Sequence, residues 1–128
     1  MSAKKENNDI PSDSLALYDE LIKTNPGIER KGVKLPYTSF NGHMFTFLSE
    51  SGILAIRLPE NERVSFLKKY SSALMESQGT IMKEYVAVPE SLLKDTRELK
   101  KYLDMSYEYV KTLKPKAKKK SEQKIKKS

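Results

Sequence analysis

Cysteine is absent from this chain, histidine occurs once and no long apolar run is present. Without thiols there can be no disulfide, no thiolate metal site and no cysteine nucleophile. A single histidine, His43, leaves no His-rich ligand set. The five glycines nowhere form the repeat that cradles a phosphate. No window approaches the ~18–20 apolar residues of a membrane-spanning helix. Residues 1–9 are polar and lack the apolar segment of a secretory signal. These absences lead to the expectation of a cytoplasmic protein with no membrane contact, no cofactor and no metal.

What the chain does have is charge, unevenly spread. Its 128 residues allow one domain around one core. The apolar share is 38% and the charged share 32%, respectively below and above ordinary globular values. Residues 1–110 carry 15 Lys+Arg against 16 Asp+Glu, a net charge of −1. Residues 111–128 carry nine lysines and one glutamate, a net charge of +8. The basic character therefore belongs to the end of the chain, and the body is close to neutral. The expected division is a disordered leader over 1–12, one domain over 13–113 and a disordered lysine-rich tail over 114–128.

Within the domain the apolar spacing alternates between two periods. Leu15, Tyr18 and Ile22, with Leu17 and Leu21 beside them, predict an amphipathic helix. Ser12 or Asp13 can cap its start, and Asn25-Pro26-Gly27 stops it. Val33, Leu35 and Tyr37 then alternate with polar residues, but Pro36 restricts this run to an edge or kinked strand. His43–Leu48 and Ile53–Leu58 read as a hairpin joined by the four residues Ser49–Gly52. Residues 53–56 are apolar on both faces, which suits a central strand. Pro59, followed by Glu60 and Glu62, opens a second helix whose buried stripe is Val64, Phe66, Leu67 and Tyr70. A short strand at Ala73–Met75 turning at Gln78-Gly79 precedes the strand Ile81–Val88, which Pro89 ends. The last helix starts with the capping box Asp95-Thr96-Arg97-Glu98 and buries Leu99, Leu103, Ser106, Val110 and Leu113. Adjacent strands with helices between them predict a two-layer α+β fold with a mainly antiparallel sheet.

Three stretches carry a resemblance. Phe40-Asn41-Gly42-His43-Met44-Phe45, then Ser51-Gly52-Ile53-Leu54-Ala55-Ile56-Arg57-Leu58, then Tyr85-Val86-Ala87-Val88-Pro89 together resemble the N-terminal domain of the TfoX/Sxy family. The likeness spans about residues 14–113. It departs from the family pattern at Ser39-Phe40-Asn41-Gly42, where Met-Phe-Gly-Gly is usual, and the expectation is a stand-alone member with no second helical domain. The resemblance implies an α-β-β-β-α-β-β-α order similar to secretion-chaperone-like folds and a regulatory or binding role. It implies no catalytic residue.

Few residues suggest chemistry. His43 could serve as a general base or contact an anionic ligand, but it has no evident second group for acid–base work. Glu60 and Glu62 are explained by the positive end of their helix. Arg57, inside an apolar strand, either pairs with a carboxylate of the fold or grips an anionic ligand. Tyr102, Tyr107 and Tyr109 on the last helix either pack into the core or face a protein partner, which could be a second copy. In the tail, Lys114, Lys116, Lys118, Lys119, Lys120, Lys124, Lys126 and Lys127 can neutralise phosphates. With neither arginine nor an aromatic ring among them, they could bind nucleic acid only weakly and without reading bases. The sequence thus points to a non-enzymatic interaction domain, with nonspecific nucleic-acid binding through the tail as the alternative.

Overall fold

The structure, a computed structural model, describes residues 11–32 and 34–115. The expected leader and tail fall mostly outside those residues, as does Val33. The element order is α1 (Ser12–Lys23), β1 (Tyr37–Phe40), β2 (His43–Leu48), β3 (Leu54–Arg57), α2 (Glu60–Lys69), β4 (Leu74–Ser77), β5 (Thr80–Ala87), α3 (Glu90–Leu93) and α4 (Thr96–Lys111). This is an α+β fold. Its five strands form one antiparallel sheet in the order β1-β2-β3-β5-β4. The anticipated α-β-β-β-α-β-β-α order is present, with the one-turn α3 added before the last helix.

Apolar spacing explains which faces are buried. In α4, Leu99, Leu103, Ser106 and Val110 are fully buried along one stripe of the helix, whereas Leu113, expected on that stripe, lies just past the helix end and is partly buried. That stripe lies with Tyr18, Leu21 and Phe66 against Leu54, Ile56 and Val86 of the central strands. Each large apolar side chain removed from water there contributes about 1.5–3 kcal/mol. The polar members of this layer satisfy one another. The Tyr18 hydroxyl lies 2.6 Å from Thr46 Oγ1, and Thr38 Oγ1 lies 2.6 Å from the same oxygen. Burial pushes the Tyr18 hydroxyl far above its usual range, and the bond to Thr46 opposes that shift. No helix among the described residues is long and apolar enough to cross a membrane.

Several local expectations are corrected. Helix α1 is preceded by Pro11, not capped by Ser12 or Asp13, and the Pro11 carbonyl accepts from the Leu15 amide at 3.1 Å. Strand β1 begins at Tyr37, because Pro36 has no N–H to donate and only its carbonyl joins the sheet, accepting from Leu48. Leu35 is left outside the strand and 44% exposed. Val64 is 52% exposed, so the buried stripe of α2 narrows to Phe66 with Leu67 and Tyr70 beside it. Asp95 caps α4 by accepting from the Glu98 amide at 3.2 Å, yet the reciprocal half of the box is missing. The Asp95 amide instead reaches the Leu92 carbonyl, which closes α3.

The turns use residues that tolerate positive φ. Asn41-Gly42 and Gln78-Gly79 form the two-residue connections of β1–β2 and β4–β5, with all four residues at φ between 53 and 84°. The β2–β3 turn is tighter than anticipated, since the Ser49 amide still pairs with the Ile53 carbonyl. Gly52, at φ +88°, completes it, and a Cβ there would come within 2.7 Å of Ser14 Oγ. Gly52→Ala is therefore expected to destabilise the fold by about 1–3 kcal/mol in urea unfolding. In the same assay Phe66→Ala should cost about 3–5 kcal/mol, whereas Val64→Ser should stay within about 0.5 kcal/mol.

Candidate docking groove

Two breaks in strand register shape the far side of the sheet. Thr38 pairs with Thr46 and Ser39 with Met44, so Phe45 is an unpaired extra residue in β2. The bulge lets Phe45 and Thr46, neighbours in sequence, both enter the helix-side core. Met44 turns to the opposite face. In β5 a second break occurs, where Leu74 pairs with Val86 but Met75 already pairs with Met82. Residues 83–85 have no partner on β4, although Tyr85 still pairs with Arg57 of β3.

The second break bends the β4–β5 hairpin back across the sheet. Ladder register alone would place Gln78 and the β2–β3 turn at opposite ends. Instead Met75, Glu76, Ser77 and Gln78 line one groove together with Leu35, Phe47, Ile53 and the Ser49–Ser51 turn. Phe47 and Met75, which form a small second core with Ala55, make its floor, and Tyr37, Met44, Met82 and Tyr85 pack against that core. The groove encloses about 280 Å³. Its apolar lining includes Ile53, 41% exposed, and Leu35. Glu50 and Glu76 stand among the lining residues, and among the described residues no lysine, arginine or histidine lines it.

The sequence-selected residues lie elsewhere and have partners inside the fold. Arg57 Nε donates to Glu84 Oε1 at 2.6 Å, and its side chain is 18% exposed. Its guanidinium carbon lies 5.6 Å from the centre of the Tyr109 ring. The Tyr85 hydroxyl donates to the Met44 carbonyl at 2.6 Å. Burial pushes the Tyr85 hydroxyl above its usual range, with the Arg57 charge opposing. His43 Nε2–H donates to the Lys114 carbonyl at 2.6 Å, tying the start of β2 to the chain after α4. Tyr107 stacks on Phe45 with centroids 5.5 Å apart and donates to the Gly27 carbonyl. Tyr102 meets Phe66 edge to face at 5.0 Å. The three tyrosines thus contact three different neighbourhoods. Exposed Lys114 is the one tail lysine named above that the described residues include; Lys116, Lys118, Lys119, Lys120, Lys124, Lys126 and Lys127 lie outside them.

A polar cluster that the sequence reading missed joins α2 to α4. Tyr70 donates to Glu98 Oε2 at 2.8 Å, and Lys69 and Lys101 each lie 3.2 Å from a Glu98 oxygen. Desolvation pushes the Tyr70 hydroxyl far above its usual range, with Tyr102 and Glu98 adding to it. Glu98 moves the other way, from 4.5 to about 2, chiefly through the Tyr70 bond and then through Lys101 and Lys69. This network explains why Glu98 does not close the capping box. Among the described residues Ser-x-x-Lys spacings occur at Ser65–Lys68 and Ser91–Lys94, but all four residues are exposed on helices or at a helix end and form no enclosed site.

No family model, no curated protein and no solved structure matches this chain. The expected resemblance to TfoX N-terminal domains therefore has no support beyond the three sequence stretches named above.

The Glu98 shift gives a pH dependence. A carboxylate held below its unfolded value stabilises the fold above that value and loses the contribution as pH falls through the folded one. The Glu98 contribution should be complete above pH 4.5 and should fade toward pH 2. The stability difference between the wild-type chain and Glu98→Gln, followed by urea unfolding, is expected to shrink across that window. A difference that stays constant would remove the role assigned to this network.

Proposed function

We propose that this domain is a non-catalytic regulatory module that acts by binding another protein, the role that its resemblance to the TfoX N-terminal domain implies. The groove beneath the bent β4–β5 hairpin carries this reading. It combines an apolar floor with a few polar groups at its edge, the composition of a surface that holds a peptide or an exposed side chain. The polar clusters with unusual surroundings, Arg57–Glu84 and Tyr70–Glu98, are paired within the fold, which fits structural service better than catalysis. A cytoplasmic setting accords with the cysteine-free composition. The partner is either a second copy or a different protein, and light scattering of the purified chain separates these.

The test is selection of peptides from a random library against the full chain, with methionine methyl resonances as the readout. Binders that shift Met75 while leaving Met105 of α4 in place are expected. No enrichment, or binders that never perturb Met75, would overturn the reading.

The charge of +8 over residues 111–128 favours a second reading, weak nucleic-acid contact through the tail. Duplex affinity of the full chain should then fall steeply with salt. Replacing Lys116, Lys118, Lys119, Lys120, Lys124, Lys126 and Lys127 with glutamine should flatten that slope. An unchanged slope would exclude the tail as the contact.

A further inference from the structure

Resting on the groove reading above, we infer that the occupant of the groove is this chain's own segment 116–128, with Ile125 over the Phe47–Met75 floor and the neighbouring lysines against Glu50 and Glu76. Three observations meet here. First, the lining is apolar at its floor and carries two carboxylates, with no basic side chain among the described residues that line it. Among the described residues neither Glu50 nor Glu76 is ion-paired. Second, segment 116–128 has the complementary chemistry. Its one large apolar residue, Ile125, stands between Lys124 and Lys126-Lys127. The leader over 1–10 suits the acidic edge less well, because Glu6 and Asp9 offset Lys4 and Lys5.

Third, the chain is long enough. The Lys114 carbonyl is held by His43 at the start of β2, and the groove lies beyond the other end of that strand, at Ser49–Ser51. A six-residue strand spans ~20 Å. The ten residues from Lys116 to Ile125 can reach ~33 Å when extended. Tethering makes the contact intramolecular, so even a weak interaction of one apolar side chain and two or three ion pairs is populated. Because the contact is partly electrostatic and exposed, it weakens with salt. The same lysines cannot hold phosphates while they face Glu50 and Glu76, so nucleic acid and the groove compete for the tail.

The cysteine-free chain allows a direct test. Ser121→Cys in the full-length protein takes a single spin label, and the methionine methyl resonances report its position. The label should strip intensity from Met75 and the neighbouring Met82 while sparing Met105. The loss should disappear at high salt, in Ile125→Ser and in the double variant Glu50→Gln/Glu76→Gln. An undisturbed Met75 would overturn the proposal. So would attenuation that arises from a label at Ser2→Cys instead, or only between labelled and unlabelled copies in a mixture. These results leave the library selection to stand by itself: peptides that still shift Met75 would show a groove for an outside partner and not for the tail.

Discussion

Arg57 sits between the two places where the sheet loses its register, and the shape of the far face depends on that arrangement. On one side the Phe45 bulge rotates Met44 outward, and on the other residues 83–85 leave the β4 ladder. The breaks are bridged across β3. Tyr85 donates its hydroxyl to the Met44 carbonyl, and Arg57 pairs with Glu84. A bulge increases local twist and bends its strand. Here the bend carries the β4–β5 hairpin over the sheet and brings Met75 onto Phe47.

The consequence is a sheet with two unlike cores. On the helix side, large side chains from α1, α2 and α4 interdigitate with β3 and β5, and the buried hydroxyls of Tyr18, Thr38 and Thr46 complete one another's hydrogen bonding. On the other side a few side chains suffice, because the hairpin supplies the cover that a helix would otherwise provide. That second core is small and leaves its edge open as the groove. The polar clusters contribute elsewhere: Glu98 with Tyr70, Lys69 and Lys101 joins α2 to α4, and His43 joins β2 to the chain beyond α4. Arg57, His43 and the tyrosines of α4 thus hold elements together here, and none of them is among the residues that line the groove.

This division bears on how the ends of the chain relate to the body. The domain itself is nearly neutral, so its own surface offers little to a polyanion. In the proposed arrangement the lysines that follow α4 would be drawn either to phosphate or to the two carboxylates beside the groove. Such a choice would give a small domain a means of regulation without any catalytic group.

Sequence alone determined the elements and the helix-side core. The spacing of Leu99, Leu103, Ser106 and Val110 marked the buried stripe of α4, Pro89 and Gly79 marked strand ends, and the doubly apolar run before Arg57 marked the central strand. Those features are legible because helix and strand periods act over a few neighbouring residues. Val64 and Ser12 were misread for the same reason, since exposure and capping at a helix end depend on what packs against it. The groove was decided only by tertiary structure. Neither bulge has a residue signature, because Phe45 and residues 83–85 look like ordinary strand positions until their partners are placed. The contact of Met75 with Phe47 depends on a bend between elements far apart in the chain. Local propensity carries no record of such an angle; it arises when two registers slip on either side of the same strand.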